Sequence, residues 1–216
     1  MNMFLSCLKF LLLLLPMAAC QAQEEKYVEG VHYQVLPQVV RTANADKIEV
    51  NELFSYHCGH CYNFQSQVRE WHKSLPSDVD FQRTHVVWNS SLELYARAYY
   101  SALSLDVFEQ LHIAVFEAIH LKKQALLNEE DIRELFIDEG VDSERFTRTF
   151  NSFGITSMMN QGKARARAYR SKGTPELVIN GKYRVTMRMS GGGEGMLDVA
   201  SFLITKERRQ IGKPNA

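Results

Sequence analysis

The sequence predicts an α/β fold in which a mixed sheet is interrupted by an inserted all-helical domain. Three observations carry that expectation. Early in the chain, strand, turn, helix and strand follow one another around Cys58-Gly59-His60-Cys61. The long stretch 88–175 then shows helical periodicity and no strand pattern, and a structureless loop of that size is improbable in a packed domain. Strand character returns only at 176–180, followed by a hairpin and a closing helix.

Residues 1–22 stand apart from the fold. Lys9 leads into Phe10-Leu11-Leu12-Leu13-Leu14-Leu15, then Pro16 and the small residues Ala18-Ala19-Cys20. That apolar run is far shorter than the ~20 residues needed to cross a bilayer, and it reads as a signal peptide. Two processing readings stay open. Met17-Ala18-Ala19-Cys20 resembles the lipobox of bacterial lipoproteins, in which Cys20 would be acylated and become the first mature residue. Ordinary cleavage after Ala22 is the other.

Within the body, 27–36 alternates apolar residues (Val31, Tyr33, Val35) and is expected as a strand, with 37–45 a connector. Residues 47–54 form a second strand with Ile48, Val50 and Phe54 in phase. Phe64, Val68, Trp71 and Leu75 recur at helical steps after the cysteines, and that helix should end near Pro76. A third strand at 81–87 completes a βαβ unit with the cysteine pair at the helix N-terminus.

Helices are expected at 92–103, 107–120, 129–138, 142–151 and 158–171, with Asp142 and Ser143 as N-caps and Gly140 and Gly154 as stops. Asn180-Gly181 favours a tight hairpin turn between 176–180 and 183–185. A last helix covers 195–208. The expected division is therefore a first sheet part at 23–87, a helical insertion at 88–160 and a second sheet part at 161–216.

Composition narrows the function. The 216-residue chain carries 25 basic and 25 acidic residues, and a net charge of zero argues against nucleic acid as its partner. Removing the signal takes away Lys9 alone among the charged residues. Of four cysteines, Cys7 leaves with the signal and Cys20 is lipidated or discarded, so Cys58 and Cys61 are those of the folded body. A two-residue loop staples almost nothing, so this pair is there for chemistry. Zinc would need four ligands, and no second C-x-x-C or H-x₃₋₅-H pair exists; neither a metal nor a cofactor is called for.

Cys58 is the expected nucleophile, because unpaired N–H groups and the positive end of the helix dipole favour its thiolate. Cys61, one turn on, is the resolving thiol. His60 lies between them, where a ring N–H or positive charge can stabilise the Cys58 thiolate, and His57 precedes them with a groove-lining or an inert role. Glu52 places a carboxylate in phase with the apolar residues of its strand; a buried acid near a reactive group suggests function. The basic run Lys163, Arg165, Arg167 and Arg170 reads as a solvated face, and Gly191-Gly192-Gly193 as a mobile turn.

These motifs together resemble the DsbA family of periplasmic disulfide-forming proteins, a thioredoxin fold with an inserted helical domain. The resemblance rests on Glu52-Leu53-Phe54-Ser55-Tyr56 leading to Cys58-Gly59-His60-Cys61-Tyr62, and on Val115-Phe116-Glu117-Ala118-Ile119-His120. Asn151-Ser152-Phe153, Gly173-Thr174-Pro175 and Val178-Ile179-Asn180-Gly181-Lys182-Tyr183-Arg184 add to it. It implies that Pro175 is cis and lies opposite the cysteines, with Gly173 and Thr174 beside it to pair with an extended client peptide. It also implies that Glu52 relays protons to or from Cys61, a structural pairing with Lys or Arg being the rival role.

The implied partners are reduced exported polypeptides and a quinone-linked membrane oxidase of the DsbB type, in the periplasm, with any membrane contact made through a lipid on Cys20. Two positions depart from the common pattern: Gly59 stands where Pro is usual, and Thr174 where Val is usual. Both resemble the isomerase and reductase branches, so a disulfide isomerase or reductase is the alternative function. A peptide-binding chaperone without redox turnover is a third, opposed by the intact cysteine pair.

Overall fold

The computed structural model describes residues 25–212; the signal-peptide and Cys20 readings lie outside them. Five strands form one sheet in the order β1-β5-β4-β2-β3. They are β1 (Gln34–Val35), β2 (Ile48–Phe54), β3 (Val79–His85), β4 (Glu176–Ile179) and β5 (Tyr183–Thr186). β2 pairs in parallel with β3 from Ile48↔Val79 to Phe54↔His85. A parallel pair needs a crossover, and α1 (Gly59–Lys73) supplies it. β4 runs antiparallel to both β2 and β5.

All seven residues of β2 are buried, as a central strand covered on both faces requires. One face of the sheet packs Ile48, Val50, Leu177 and Val185 against Phe64 and Val68 of α1 and against Met196 and Leu203 of α8 (Gly193–Gln210). The other packs Leu53 and Val178 against Ala166 and Tyr169. A larger core of the helical region holds Tyr99, Leu111, Phe116, Phe136 and Phe146 and reaches the sheet through Phe54.

Between β3 and β4 lie a short 3₁₀ turn (Ser90–Leu92) and α2 (Glu93–Ser104), α3 (Phe108–His120), α4 (Glu129–Asp138), α5 (Ser143–Phe150) and α6 (Phe153–Ala168). Their starts follow from capping. Asn128 and Asp131 make a reciprocal capping box, Asp142 accepts from the Arg145 N–H at 2.8 Å, and Ser152 accepts from the Ile155 N–H at 3.2 Å. Each such cap contributes about 1 kcal/mol. After β5, α7 (Met187–Ser190) leads into α8.

Several expectations are corrected. The strand at 27–36 shrinks to Gln34–Val35, and of its three phased residues Tyr33 is buried while Val31 and Val35 are exposed. The cause is local: Gly30, at φ 80°, lets the chain turn, its N–H bonding the Tyr33 carbonyl at 2.8 Å. Gly154 stops nothing; it sits in the first turn of α6, which begins before the expected 158 because Ser152 caps it. Gly191-Gly192-Gly193 is the joint between α7 and α8, with Gly191 and Gly192 at positive φ. The basic run of α6 is not wholly solvated, since Arg165 pairs with buried Glu49 at 3.1 Å and Lys163 with Glu93 at 2.6 Å.

Candidate active site

The end of β2 delivers the chain into α1 through Ser55-Tyr56-His57, and Cys58 becomes the helix N-cap, with extended backbone at φ −89°, ψ 113°. Its sulfur accepts the Cys61 N–H at 3.4 Å. As a thiol it donates to the Thr174 carbonyl at 3.3 Å. The thiolate is strongly favoured: bonding from the Cys61 thiol comes first, opposed by partial burial and reinforced by the Thr174 side chain and the Cys61 and His60 N–H groups, and the pKa falls to about 5. Anion stabilisation at a helix N-terminus is the physical source of the backbone part.

Cys61 is its opposite. It is fully buried, and burial first, then the neighbouring Cys58 sulfur and the Glu52 charge, hold it as a thiol far above the usual range. One sulfur is charged and accessible, the other neutral and enclosed. Such a pair forms and passes on a disulfide through a single attacking end.

The Thr174–Pro175 peptide bond is cis, and it brings residue 174 across the sheet to the Cys58 sulfur, 116 positions away in sequence. Gly173 lies beside it in the same connection. His57 and His60 are both exposed. The His60 group that acts on the sulfur is its backbone N–H, and the His57 ring faces Tyr95 at 6.2 Å between centroids.

Glu52 is completely buried under this site. Its Oε2 accepts from Arg83 Nε at 2.8 Å and its Oε1 from Gln65 Nε2 at 3.3 Å. Desolvation raises its pKa, against the opposing pull of Arg83 and Gln65. Glu52 is therefore paired with an Arg and is at the same time close enough to raise the Cys61 thiol.

Sequence reasoning missed the residues that surround this acid. Gln65 Oε1 meets His112 Nε2 at 2.6 Å, and His112 Nδ1 meets the Tyr56 hydroxyl at 3.0 Å. His85 accepts the Tyr56 N–H at 3.1 Å and is held neutral by burial, its pKa pushed down to about 3. His120 bonds the Tyr56 carbonyl at 2.8 Å and stacks on Tyr62. The four-residue steps His112–Phe116–His120 along α3 put both rings on one face and were the available signal.

A dithiol with a low-pKa sulfur capping a helix, facing a cis-proline on a thioredoxin sheet, defines the class as thiol–disulfide oxidoreductases. The profile of the DSBA-like thioredoxin domain family matches residues 77–203, a span that begins after the cysteines. The thiol:disulfide interchange protein DsbA of Pseudomonas aeruginosa is 38% identical over 192 residues, 89% of this chain and 91% of that protein. The DsbA of Azotobacter vinelandii is 36% identical over 179 residues, 83% and 84% of the two chains.

The crystal structure of Pseudomonas aeruginosa DsbA superposes with a TM-score of 0.84 at 37% identity, covering 88% of this chain and 99% of that one. The oxidoreductase DsbA of Xylella fastidiosa gives 0.80 at 33% identity, covering 85% and 98%. The chain belongs to the DsbA-like thioredoxin family.

Proposed function

We propose that this protein donates disulfides to reduced, exported polypeptides in the periplasm and is reoxidised there by a quinone-linked membrane oxidase of the DsbB type. The observation that carries this reading is the Cys58 sulfur, stabilised as a thiolate with a pKa of about 5. Stabilising the thiolate stabilises the reduced protein, and that makes its disulfide a ready donor.

The reaction balances without a cofactor. A client thiolate attacks the Cys58 sulfur of the Cys58–Cys61 disulfide, and Cys61 leaves and takes up a proton. A second client thiolate then attacks the client sulfur of the mixed disulfide and releases Cys58 as thiolate. In this reading Cys58 is the nucleophile of the reoxidation step, Cys61 the resolving thiol and Glu52 the proton relay to Cys61. Gly173, Thr174 and Pro175 hold the client strand, His60 adds positive potential at the sulfur, and His57 borders the groove. A lipid on Cys20 would tether the protein to a membrane.

The test is the equilibrium of the Cys58/Cys61 couple against glutathione. Oxidising DsbA couples lie at about −120 mV and protein disulfide isomerase at about −180 mV. A value at the first end supports disulfide donation. Gly59 in the motif and Thr174 before the cis-proline favour the second reading, isomerisation or reduction, which a value at the lower end would support.

A further inference from the structure

Directly after the cis-proline, Glu176 opens β4 with its side chain only 3% exposed. Its strand neighbours are Leu53 of β2 and Thr186 of β5, both uncharged. The charge that reaches it is the Arg184 guanidinium from β5, and the remaining groups come from the connection that leads to Thr174. The Lys172 N–H lies 3.5 Å from Oε1, and the Ser171 hydroxyl and Gly173 amide also act on the carboxylate. Oε2 has no hydrogen-bond partner among the described residues.

That connection is tightly bent. Arg170 has φ 52°, Ser171 bonds back to the Ala166 carbonyl at 3.1 Å, and Arg184 donates to the Arg170 carbonyl. Successive amides turned toward one anion form a backbone nest. Here the Lys172 amide faces an anion that the chain itself supplies, two residues beyond Thr174.

Such a carboxylate works against the fold. Burial is the largest influence on it and raises its pKa, so at neutral pH its ionised form subtracts from stability. An acid that costs stability beside a reactive centre points to a role in that centre. We infer that Glu176 is a positioning residue: its carboxylate gathers the 171–173 segment and so holds Thr174 where Cys58 and an extended client strand both require it. This rests on the reading that the 173–175 segment holds clients.

The test uses the full chain, a reduced two-cysteine peptide as substrate and oxidised glutathione as terminal oxidant, with kcat and KM for the peptide followed from pH 4 to pH 8. Glu176→Gln keeps the shape and removes the charge. It is expected to raise KM at pH 7 about tenfold, the scale of one hydrogen bond to a charged group, with kcat little changed and the melting temperature equal or higher. In the parent protein KM should rise as pH falls and Glu176 is protonated, and the Lys172 and Gly173 amide resonances should titrate over the same range. In Glu176→Gln the Lys172 and Gly173 amide titration should vanish, and the rise in KM at low pH should shrink to the part that the cysteine thiols set.

A variant that melts differently but keeps the parent KM, pH profile and amide shifts would overturn the inference. Pro175→Ala separates the two levels. If Pro175→Ala raises KM and Glu176→Gln does not, only the positioning role fails. If neither does, the client-holding role of the segment fails with it.

Discussion

The charge on Cys58 should make the reduced protein more stable than the oxidised one, by an amount that depends on pH. In the folded dithiol the pKa falls from an ordinary 9.0 to about 5. A depressed pKa contributes stability that is complete above the unfolded value, declines as pH falls and is gone below the folded value. The disulfide form has no thiolate and no such term. Between pH 5 and pH 7 two pH units separate the extremes, at about 1.4 kcal/mol each, for an upper figure of about 2.7 kcal/mol.

The sulfur is half-exposed and water screens its interactions, so the observable difference should be about 1–1.5 kcal/mol. For a chain of this size that is about 2–6 °C in melting temperature. The assay is paired thermal or urea unfolding of the reduced and oxidised protein at intervals from pH 4 to pH 8. The reduced form should gain steadily above pH 5, and a Cys58→Ser variant should show no such gain. A reduced-minus-oxidised difference that does not change with pH would refute the reasoning.

Three further outcomes are expected. Glu52→Gln should slow thiol exchange at Cys61 and flatten its pH dependence in single-turnover mixing, whereas unchanged rates and pH profile would remove the relay role. Gly181→Ala should destabilise by about 2 kcal/mol or more in urea titration, because Gly181 has φ +63° and an added Cβ would lie 1.9 Å from the Val40 carbonyl oxygen. Phe146→Ala should cost about 3–5 kcal/mol, since its fully buried ring lies 4.8 Å from Phe136 and 5.0 Å from Phe150; loss of cooperativity would show in the urea slope.

Periodicity and capping made most of the fold readable. Apolar residues at helical steps marked α1 to α5 closely, and Asn180-Gly181 marked the hairpin, because these are local preferences of backbone and cap. The start of α6 was hidden because Phe153, its first residue, is 85% exposed and breaks the apolar pattern. The first strand was overread because alternation cannot distinguish a strand from a turn that buries Tyr33 and Leu36 and leaves Val31 and Val35 exposed.

At the site, the cysteines and the cis-proline announce themselves through motif and helix position. Glu52 could be singled out as an acid on an apolar strand face, yet its Arg83 and Gln65 partners come from other elements. Glu49, His85 and His112 were invisible for the same reason: their partners are set by the sheet register and by the packing of α3 and α6, over 29 to 120 positions of sequence.

The sharing of α6 between the two regions governs how this chain can be taken apart. The Phe150 carbonyl, just before the helix, and Thr156 in its second turn both take hydrogen bonds from Arg97 of α2. Its far end sets Arg165, and the capping residue Tyr169, on Glu49 under the sheet, and a bent connection of four residues leads from there to Thr174. A graft that exchanged residues 88–160 for a foreign helical segment would cut this helix mid-length, part Lys163 from Glu93 of α2 and leave the segment that leads to the cis-proline hanging from a stump. The transplantable unit is the insertion together with the whole of α6 and the acidic socket on β2 that receives it.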